Sequence, residues 1–266
     1  MQSNALANIP AGSFTGTLVG LFEKGLRYST VIDVGCADGH FYVYHCGLGL
    51  FAGATALNID ANAIYEDSLK SIREVLGGHY VIAAASDRAG EVTLTTSAHP
   101  YWGSLRAEGD PYWERLNRLH QGTVTVPAVT LDSLAESLKL SGPFLLKLDV
   151  QGAEAQVLRG AREVLRHTHV VICEADLDDF AALHQALVEA GFGLFDVTQP
   201  HWLSDRSLGW FYPVYLNRAL DRIRPRAFWD PAQNPAALAM QTERRRNIRD
   251  QLARMLAEQK AARVKR

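Results

Sequence analysis

Cysteine is scarce in this chain. Its three cysteines, Cys36, Cys46 and Cys173, fall in no C-x-x-C pattern. That excludes a disulfide framework and a zinc ribbon, and points to a reducing compartment. No stretch approaches about 18 uninterrupted apolar residues, so no membrane-spanning helix is expected. The opening MQSNALANIPAGSF has neither a basic n-region nor an apolar h-region, so no signal peptide is expected and the expected location is the cytoplasm. A surplus of one charge is also missing: 27 Lys and Arg face 29 Asp and Glu. This argues against a generally basic nucleic-acid binder. What is present is an ordinary globular composition over 266 residues, 47% hydrophobic and 21% charged. That is enough for a buried core, with room for one or two domains.

The hydrophobic pattern alternates between strand and helix. Thr30 to Gly35 is a short apolar run ending in glycine, as a buried strand would be. Helical sequence follows it, then a second strand over Ala54 to Asp60. Ile64, Leu69, Ile72, Val75 and Leu76 are expected to share one helical stripe. A third strand is expected over Tyr80 to Ala85. This rhythm means βαβ units and a parallel sheet. It breaks at Glu91 to Ser97, which alternates like an exposed strand. A polar and aromatic insert then runs over residues 98–122, with Tyr101, Trp102, Tyr112 and Trp113. A connection of that length is a candidate lid over a substrate, or else a satellite cluster. After it come a strand, a short helix with Ser133 and Glu136 at capping-box spacing, and a strand over Phe144 to Val150. One helix is expected through Ala153 to Leu165, then a strand over Val170 to Ala175 and a further helix. Two final strands, around Gly193 to Val197 and Trp210 to Asn217, suit an antiparallel pair. Seven main strands result. The expected division is a helical lead-in over 1–29, a main domain over 30–218 and a basic helical extension over 219–266.

Charge is concentrated in that extension. Gln241 to Arg266 holds nine Lys and Arg against three Asp and Glu, so the remainder is acidic. Ile248, Leu252, Met255 and Leu256 form a narrow apolar stripe among the arginines. Its plain reading is a helix that packs on its own domain or on a second copy. Its sharper reading is a surface for anionic lipid or nucleic acid.

The first strand turns into a helix through Asp33-Val-Gly35-Cys36-Ala37-Asp38-Gly39. Ligands of open α/β sheets sit beyond the carboxyl ends of the strands. A dinucleotide fingerprint requires G-x-G-x-x-G, but here its middle glycine is Ala37 and the place of its third is His40. A Walker lysine is absent too. An acidic residue before the first glycine instead suits a ligand with a cationic amine and no phosphate, such as S-adenosylmethionine. Asp60, ending the second strand, is placed to accept hydrogen bonds from ribose hydroxyls; its plainer reading is a helix cap.

VIDVGCADGHF, LNID, AAASDRAGEVTL, TLDSL and above all LLKLDVQGAEAQVLRGA resemble the FkbM-type methyltransferases, over roughly Val31 to Leu216. The resemblance implies a Rossmann-like three-layer sandwich. Its seven-stranded sheet would be mostly parallel, with the last strand inserted antiparallel near the edge. It implies S-adenosylmethionine as cofactor, with Asp33, Gly35, Cys36, Ala37, Asp38 and Gly39 around the methionine end. Asp60 would hold the ribose, with Ala61 beside it among the cofactor-binding residues, and Ala85, Ser86 or Asp87 would lie near the adenine. It also implies methylation of a hydroxyl on a sugar or small metabolite. The chain departs from the family pattern at Gln151, where the family usually has Glu, and at Ala37.

Methyl transfer to an alcohol needs alignment and a place for the departing proton. Asp149, at the ligand end of its strand, is the first candidate for base or hydroxyl acceptor, and Glu154 the second. Lys147 can orient Asp149 or simply form a buried ion pair with it or with Glu154. Asp149 and Glu154 could hold a divalent cation, a reading the sequence does not favour. His99, His120 and His201 rank below Asp149 as bases, and Trp202 and Trp210 can complete the pocket. The sequence therefore reads as an S-adenosylmethionine-dependent O-methyltransferase acting on a small-molecule or glycan acceptor. Nucleic acid is not the expected partner, and the C-terminal helix is a candidate homo-oligomer contact. Its rivals are a non-catalytic binding protein that uses the basic helix, and an NAD-dependent oxidoreductase.

Overall fold

The computed structural model describes residues 6, 8–10, 12–99, 103–106, 110, 120–223 and 235–264. The chain divides into two compact units, 1–223 and 224–266. In the first, Ser13 caps helix α1 (Phe14–Glu23) by accepting from the Gly16 N–H, and Leu18 and Leu21 of that helix are buried. The lead-in is therefore part of the main core. Strand β1 (Thr30–Val34) is buried at every position, as a strand covered on both faces must be. It is followed by α2 (His40–Gly47), β2 (Thr55–Asp60), α3 (Glu66–Leu76) and β3 (His79–Ile82).

The chain then leaves the main sheet. Two residues form β4 (Ala84–Ala85), which pairs with β6 (His120–Val129); β6 in turn pairs antiparallel with β5 (Gly90–Ser97). The single third strand expected over Tyr80 to Ala85 is thus two short strands in two different sheets. The last pair of the β5–β6 hairpin is Ser97 with His120; of the residues between them, 98, 99, 103–106 and 110 are described.

The main sheet resumes with α4 (Leu131–Ser137), β7 (Phe144–Leu148), α5 (Glu154–Arg159), α6 (Arg162–Arg166), β8 (Thr168–Cys173) and β9 (Ala175–Asp176). Then come α7 (Leu177–Glu189), β10 (Phe192–Trp202) and β11 (Leu208–Asn217). Its strand order is β10-β11-β8-β7-β1-β2-β3, with β9 pairing to β11. β7, β1, β2, β3 and β8 run parallel, and β11 lies antiparallel between β8 and β10. Rossmann-like topology is therefore as expected, with a three-stranded sheet added. The order reverses between β1 and β7, the place where such sheets leave a crevice for ligands.

Three local expectations need correction. Leu69 is fully buried, but Ile64 is 68% and Val75 80% exposed. Ile64 lies in a 3-10 turn capped by Asn62, so it is out of phase with the helix behind it. The helix expected over Ala153 to Leu165 breaks at Gly160, where a Cβ would sit 2.0 Å from the Ser86 carbonyl oxygen. The cap of α4 is Thr130, whose hydroxyl accepts from the Ser133 N–H at 3.1 Å; Ser133 is not the cap.

The main unit extends past residue 218 because Leu220 and Ile223, in a final 3-10 helix (Arg218–Ile223), pack against its core. The second unit is helix α8 (Pro235–Val264). Ile248, Leu252 and Met255 of the expected stripe are all about half exposed; the side chain of Leu256 lies outside the described residues. No described helix is long and apolar enough to cross a membrane.

Candidate functional site

A cavity of about 300 Å³ opens at the carboxyl ends of β1, β2 and β7, at the reversal of strand order. Its first wall is the turn after β1. Gly35 adopts φ +69°, and a Cβ there would lie 1.9 Å from the Asp149 carbonyl oxygen. The glycine is thus required by the close approach of β1 and β7, independently of any ligand. Ala37 is left-handed as well, at φ +48°. Its N–H donates to Asp60 Oδ2 at 2.8 Å, while Asp60 Oδ1 accepts from the Asn62 N–H at 2.8 Å. Asp60 therefore ties the end of β2 to the glycine turn, and burial pushes its carboxyl up from the usual range.

The second wall is the end of β7. Lys147 is buried, and its Nζ lies 3.1 Å from Asp33 Oδ1 and 3.3 Å from Asp149 Oδ2. It also donates to the Gly35 carbonyl at 3.3 Å. Burial opposes the charge on Lys147, but the two carboxylates override it and raise its pKa. Asp149 gathers further donors: Gln151 Nε2 at 3.0 Å on Oδ1 and the Tyr212 hydroxyl at 3.2 Å on Oδ2. Burial works against its charge, yet Lys147, with hydrogen bonds from Glu174 and Tyr212, lowers its pKa to about 2.

Glu174 stands beside it. Parallel pairing of Leu148 with Cys173 brings the ends of β7 and β8 level, and the Glu174 N–H donates to the Leu148 carbonyl at 2.8 Å. Gln151 Nε2 reaches Glu174 Oε2 at 2.5 Å, so one amide nitrogen bridges both carboxyls. Burial and the neighbouring Asp149 raise the Glu174 pKa well above the usual range.

Of the residues singled out in the sequence, Gly35, Ala37, Asp60, Ala61, Ala85 and Asp149 line the cavity. The other cofactor candidates do not. Asp33 is fully buried against Lys147, and Cys36 packs with Tyr65 and Leu69. Asp38 pairs with His40, and Gly39 packs on Ile72. Ser86 is buried beneath the Gln156 amide, and Asp87 pairs with Arg159. Among the catalytic candidates, Lys147 acts from behind the wall. Glu154 is buried in the following turn, where its Oε1 accepts from the Val150 and Gly152 N–H groups at 3.0 and 3.3 Å. Lys147 thus pairs with Asp149 and Asp33, with no Glu154 pairing. Trp210 lines the cavity with His201 stacked on it at 3.6 Å, whereas Trp202 is 60% exposed and lies off the wall. His99 does not line it.

Tyr101, Trp102, Tyr112 and Trp113, and the His120 side chain, lie outside the described residues. Gly103, Ser104 and Leu105, at the base of the insert, do line the cavity. The Ser104 hydroxyl donates to the Gln151 carbonyl at 2.6 Å, and the Arg106 guanidinium lies against Gly152 and pairs with Asp179. The sequence reading missed Glu174, Tyr212, His40 and Ser104. For Glu174 a signal existed: a carboxylate directly follows a buried strand at the same sheet edge as Asp149. No group of three or more His, Cys, Asp or Glu suited to a metal is found among the described residues.

Burial sets a pH dependence for Glu154, raising its carboxyl from 4.5 to about 7 against the pull of its backbone donors. A pKa raised in the folded state favours folding below the unfolded value and loses that contribution as pH rises through the folded one. Glu154→Gln keeps an acceptor oxygen but cannot ionise. In urea titrations it should gain on the order of 1 kcal/mol relative to the parent between pH 5 and pH 8. A relative loss at pH 8 would mean that the turn requires the carboxylate.

The topology, the glycine turn and a carboxylate closing β2 define a Rossmann-like enzyme that binds a nucleoside-containing cofactor. The methyltransferase FkbM domain matches residues 33–194, and the chain belongs to that family. It is thus an S-adenosylmethionine-dependent methyltransferase. The cavity suits that cofactor. Its described wall carries Asp60, Asp149 and Glu174 and no Lys or Arg, so it favours a sulfonium and disfavours a pyrophosphate. Solved structures similar to the chain include the FkbM methyltransferase from Methylobacillus flagellatus, at 13% identity and TM-score 0.45, covering 81% of this chain and 57% of that one. They also include an rRNA methylase from Streptococcus thermophilus, at 11% identity and TM-score 0.44, covering 79% and 98%. The chain thus spans little more than half of the first of these structures. Comparison with curated proteins finds no match.

Proposed function

We propose that this methyltransferase methylates a hydroxyl of a small polar acceptor of sugar or metabolite size. The observation that carries this reading is the far wall of the cavity, where Trp210 and Tyr212 stand beside Glu174 and Asp149. An aromatic face takes the C–H side of a hydroxylated ring, and carboxyls take its hydroxyls. In this reading Gly35 and Ala37 hold the methionine end of S-adenosylmethionine, Asp60 the ribose, and Ala61 with Ala83, Ala84 and Ala85 the adenine. Bound there, the cofactor would supply an electrophilic methyl group with a neutral thioether as leaving group. The chain's own part is alignment and proton handling. Lys147 fixes Asp149 from behind, and Gln151 and Tyr212 fix it from the front.

The test is calorimetric titration with S-adenosylhomocysteine and, in parallel, NAD, followed by labelled methyl transfer onto a panel of monosaccharides and simple phenols. Micromolar binding of the adenosyl ligand alone, and labelling of a hydroxyl, are expected. Binding of NAD instead, or label found only on nitrogen, rejects the reading. A chain ending at residue 223 should bind the adenosyl ligand within about twofold of the full chain, because every assigned cofactor residue lies in the first unit. A larger loss would make the basic helix part of the site.

A further inference from the structure

Asp149 was the candidate base, but its geometry fits that task poorly. A carboxylate has about four lone-pair positions. Lys147, Gln151 and Tyr212 occupy three of them at 3.0 to 3.3 Å, and Glu174 makes a hydrogen bond to the same carboxylate. Asp149 is held as an anion with little capacity left for an incoming hydroxyl. Glu174 differs. It lines the same cavity, is half-buried, and accepts from the Gln151 amide on Oε2.

Charge balance separates the two further. Among the described residues, Lys147 is the cation that pairs with Asp33 and Asp149, and it makes no ion pair with Glu174. The other groups facing the pair are Glu154 from α5, Tyr212 from β11, and Asp60 and His40 across the cavity. Asp33, Asp149 and Glu174 sit around Lys147, and burial together with the adjacent Asp149 carboxylate raises the Glu174 pKa well above the usual range. A cation entering the cavity would change that balance.

We propose that Glu174 is the proton-accepting group of this site, and that the positive charge of the methyl donor readies it. In the free protein the Glu174 carboxyl is protonated against Asp149. When S-adenosylmethionine binds, that proton passes to solvent and leaves a carboxylate bridged to Asp149 by the Gln151 amide. The carboxylate then takes the proton that the acceptor hydroxyl gives up on methylation. The protein is thereby a base only when its methyl donor is present. The inference rests on the O-methyl transfer reading, but its test does not require an acceptor.

The experiment is calorimetry of the full chain at pH 7 in buffers of different ionisation enthalpy, which counts protons released on binding. S-adenosylmethionine should release on the order of 0.5 proton more than S-adenosylhomocysteine, which lacks the sulfonium charge. Glu174→Gln should abolish that excess while binding both ligands. Asp149→Asn should abolish it as well, since without the neighbouring charge Glu174 is already ionised. Equal release for the two ligands in the parent protein, or an excess that survives in Glu174→Gln, overturns the proposal. Failure of both ligands to bind the folded parent would instead sink the methyltransferase site itself, so the two failures are distinguishable.

Discussion

Replacing Asp60 with alanine is expected to weaken S-adenosylhomocysteine binding by ~10- to 100-fold, the loss of one or two hydrogen bonds to a charged group. The size follows from the double duty of the side chain. Its two oxygens already hold the Ala37 and Asn62 N–H groups at 2.8 Å, and the residue lines the cavity as well. Ala37 sits at φ +48°, where a residue with a Cβ is strained, so its hydrogen bond helps to keep the turn in shape. The variant should lose both a ligand partner and the organisation of the neighbouring turn. Asp60→Asn retains one acceptor oxygen and should fall between the two. The pH dependence has a definite sign. Burial raises the Asp60 pKa, so protonation sets in at a higher pH than for an exposed aspartate, and affinity should fall as the solution is made acidic. Calorimetric titration of the parent and both variants checks this, with a thermal melt to confirm folding. An unchanged affinity in Asp60→Ala would remove the ribose assignment.

The parts of this site legible in the sequence are those set by one strand end at a time. Gly35, Asp60 and Asp149 each close a buried apolar run, and their order along the chain is enough to place them at one sheet edge. What could not be read is which of two neighbouring positions faces the cavity and which faces the core. Asp33 and Lys147 form a register pair across β1 and β7, so their charges meet inside the sheet layer and Asp33 leaves the cavity wall. Glu154 looked like a second acid near the chemistry, but a carboxylate at the start of a short helix finds the N–H groups of its own turn first. Glu174 and Tyr212 needed pairings that only the folded sheet supplies: β8 level with β7, and β11 inserted beside β8. The glycine turn shows the same limit from another side. Its spacing argued against a dinucleotide, but the reason for Gly35 itself is the carbonyl of Asp149, which lies 114 positions away in sequence. Periodicity also misled over Ile64, because a 3-10 turn shifted the phase of the helix that follows.

Lys147→Met is expected to be the most destabilising of these changes, by about 3–5 kcal/mol at neutral pH, the range for removing one partner of a buried ion pair. Lys147 is 4% exposed, and methionine approximates its shape, so little packing is lost. What remains are two carboxyls, Asp33 and Asp149, facing each other without a cation. In the parent protein Asp149 has a folded pKa of about 2, below its unfolded value of 3.8. Its contribution is therefore present above about 3.8 and lost as pH falls through 2. Without Lys147, burial and their mutual repulsion raise both carboxyls, and the remaining hydrogen bonds to Asp149 offset this only in part. They then favour folding at low pH and oppose it as pH rises. The stability gap between parent and variant should accordingly be widest at pH 7 and narrow towards pH 4. Urea titrations at the two pH values measure it directly, and equal gaps at both would show that Lys147 acts through packing. Adding Asp33→Asn to Lys147→Met should recover part of the loss at pH 7, because it removes the buried charge that the lysine no longer meets. If that double variant is as unstable as the single one, Asp149 alone is the partner that matters. The lysine would then serve mainly to hold the hub on which Glu174 and Gln151 depend.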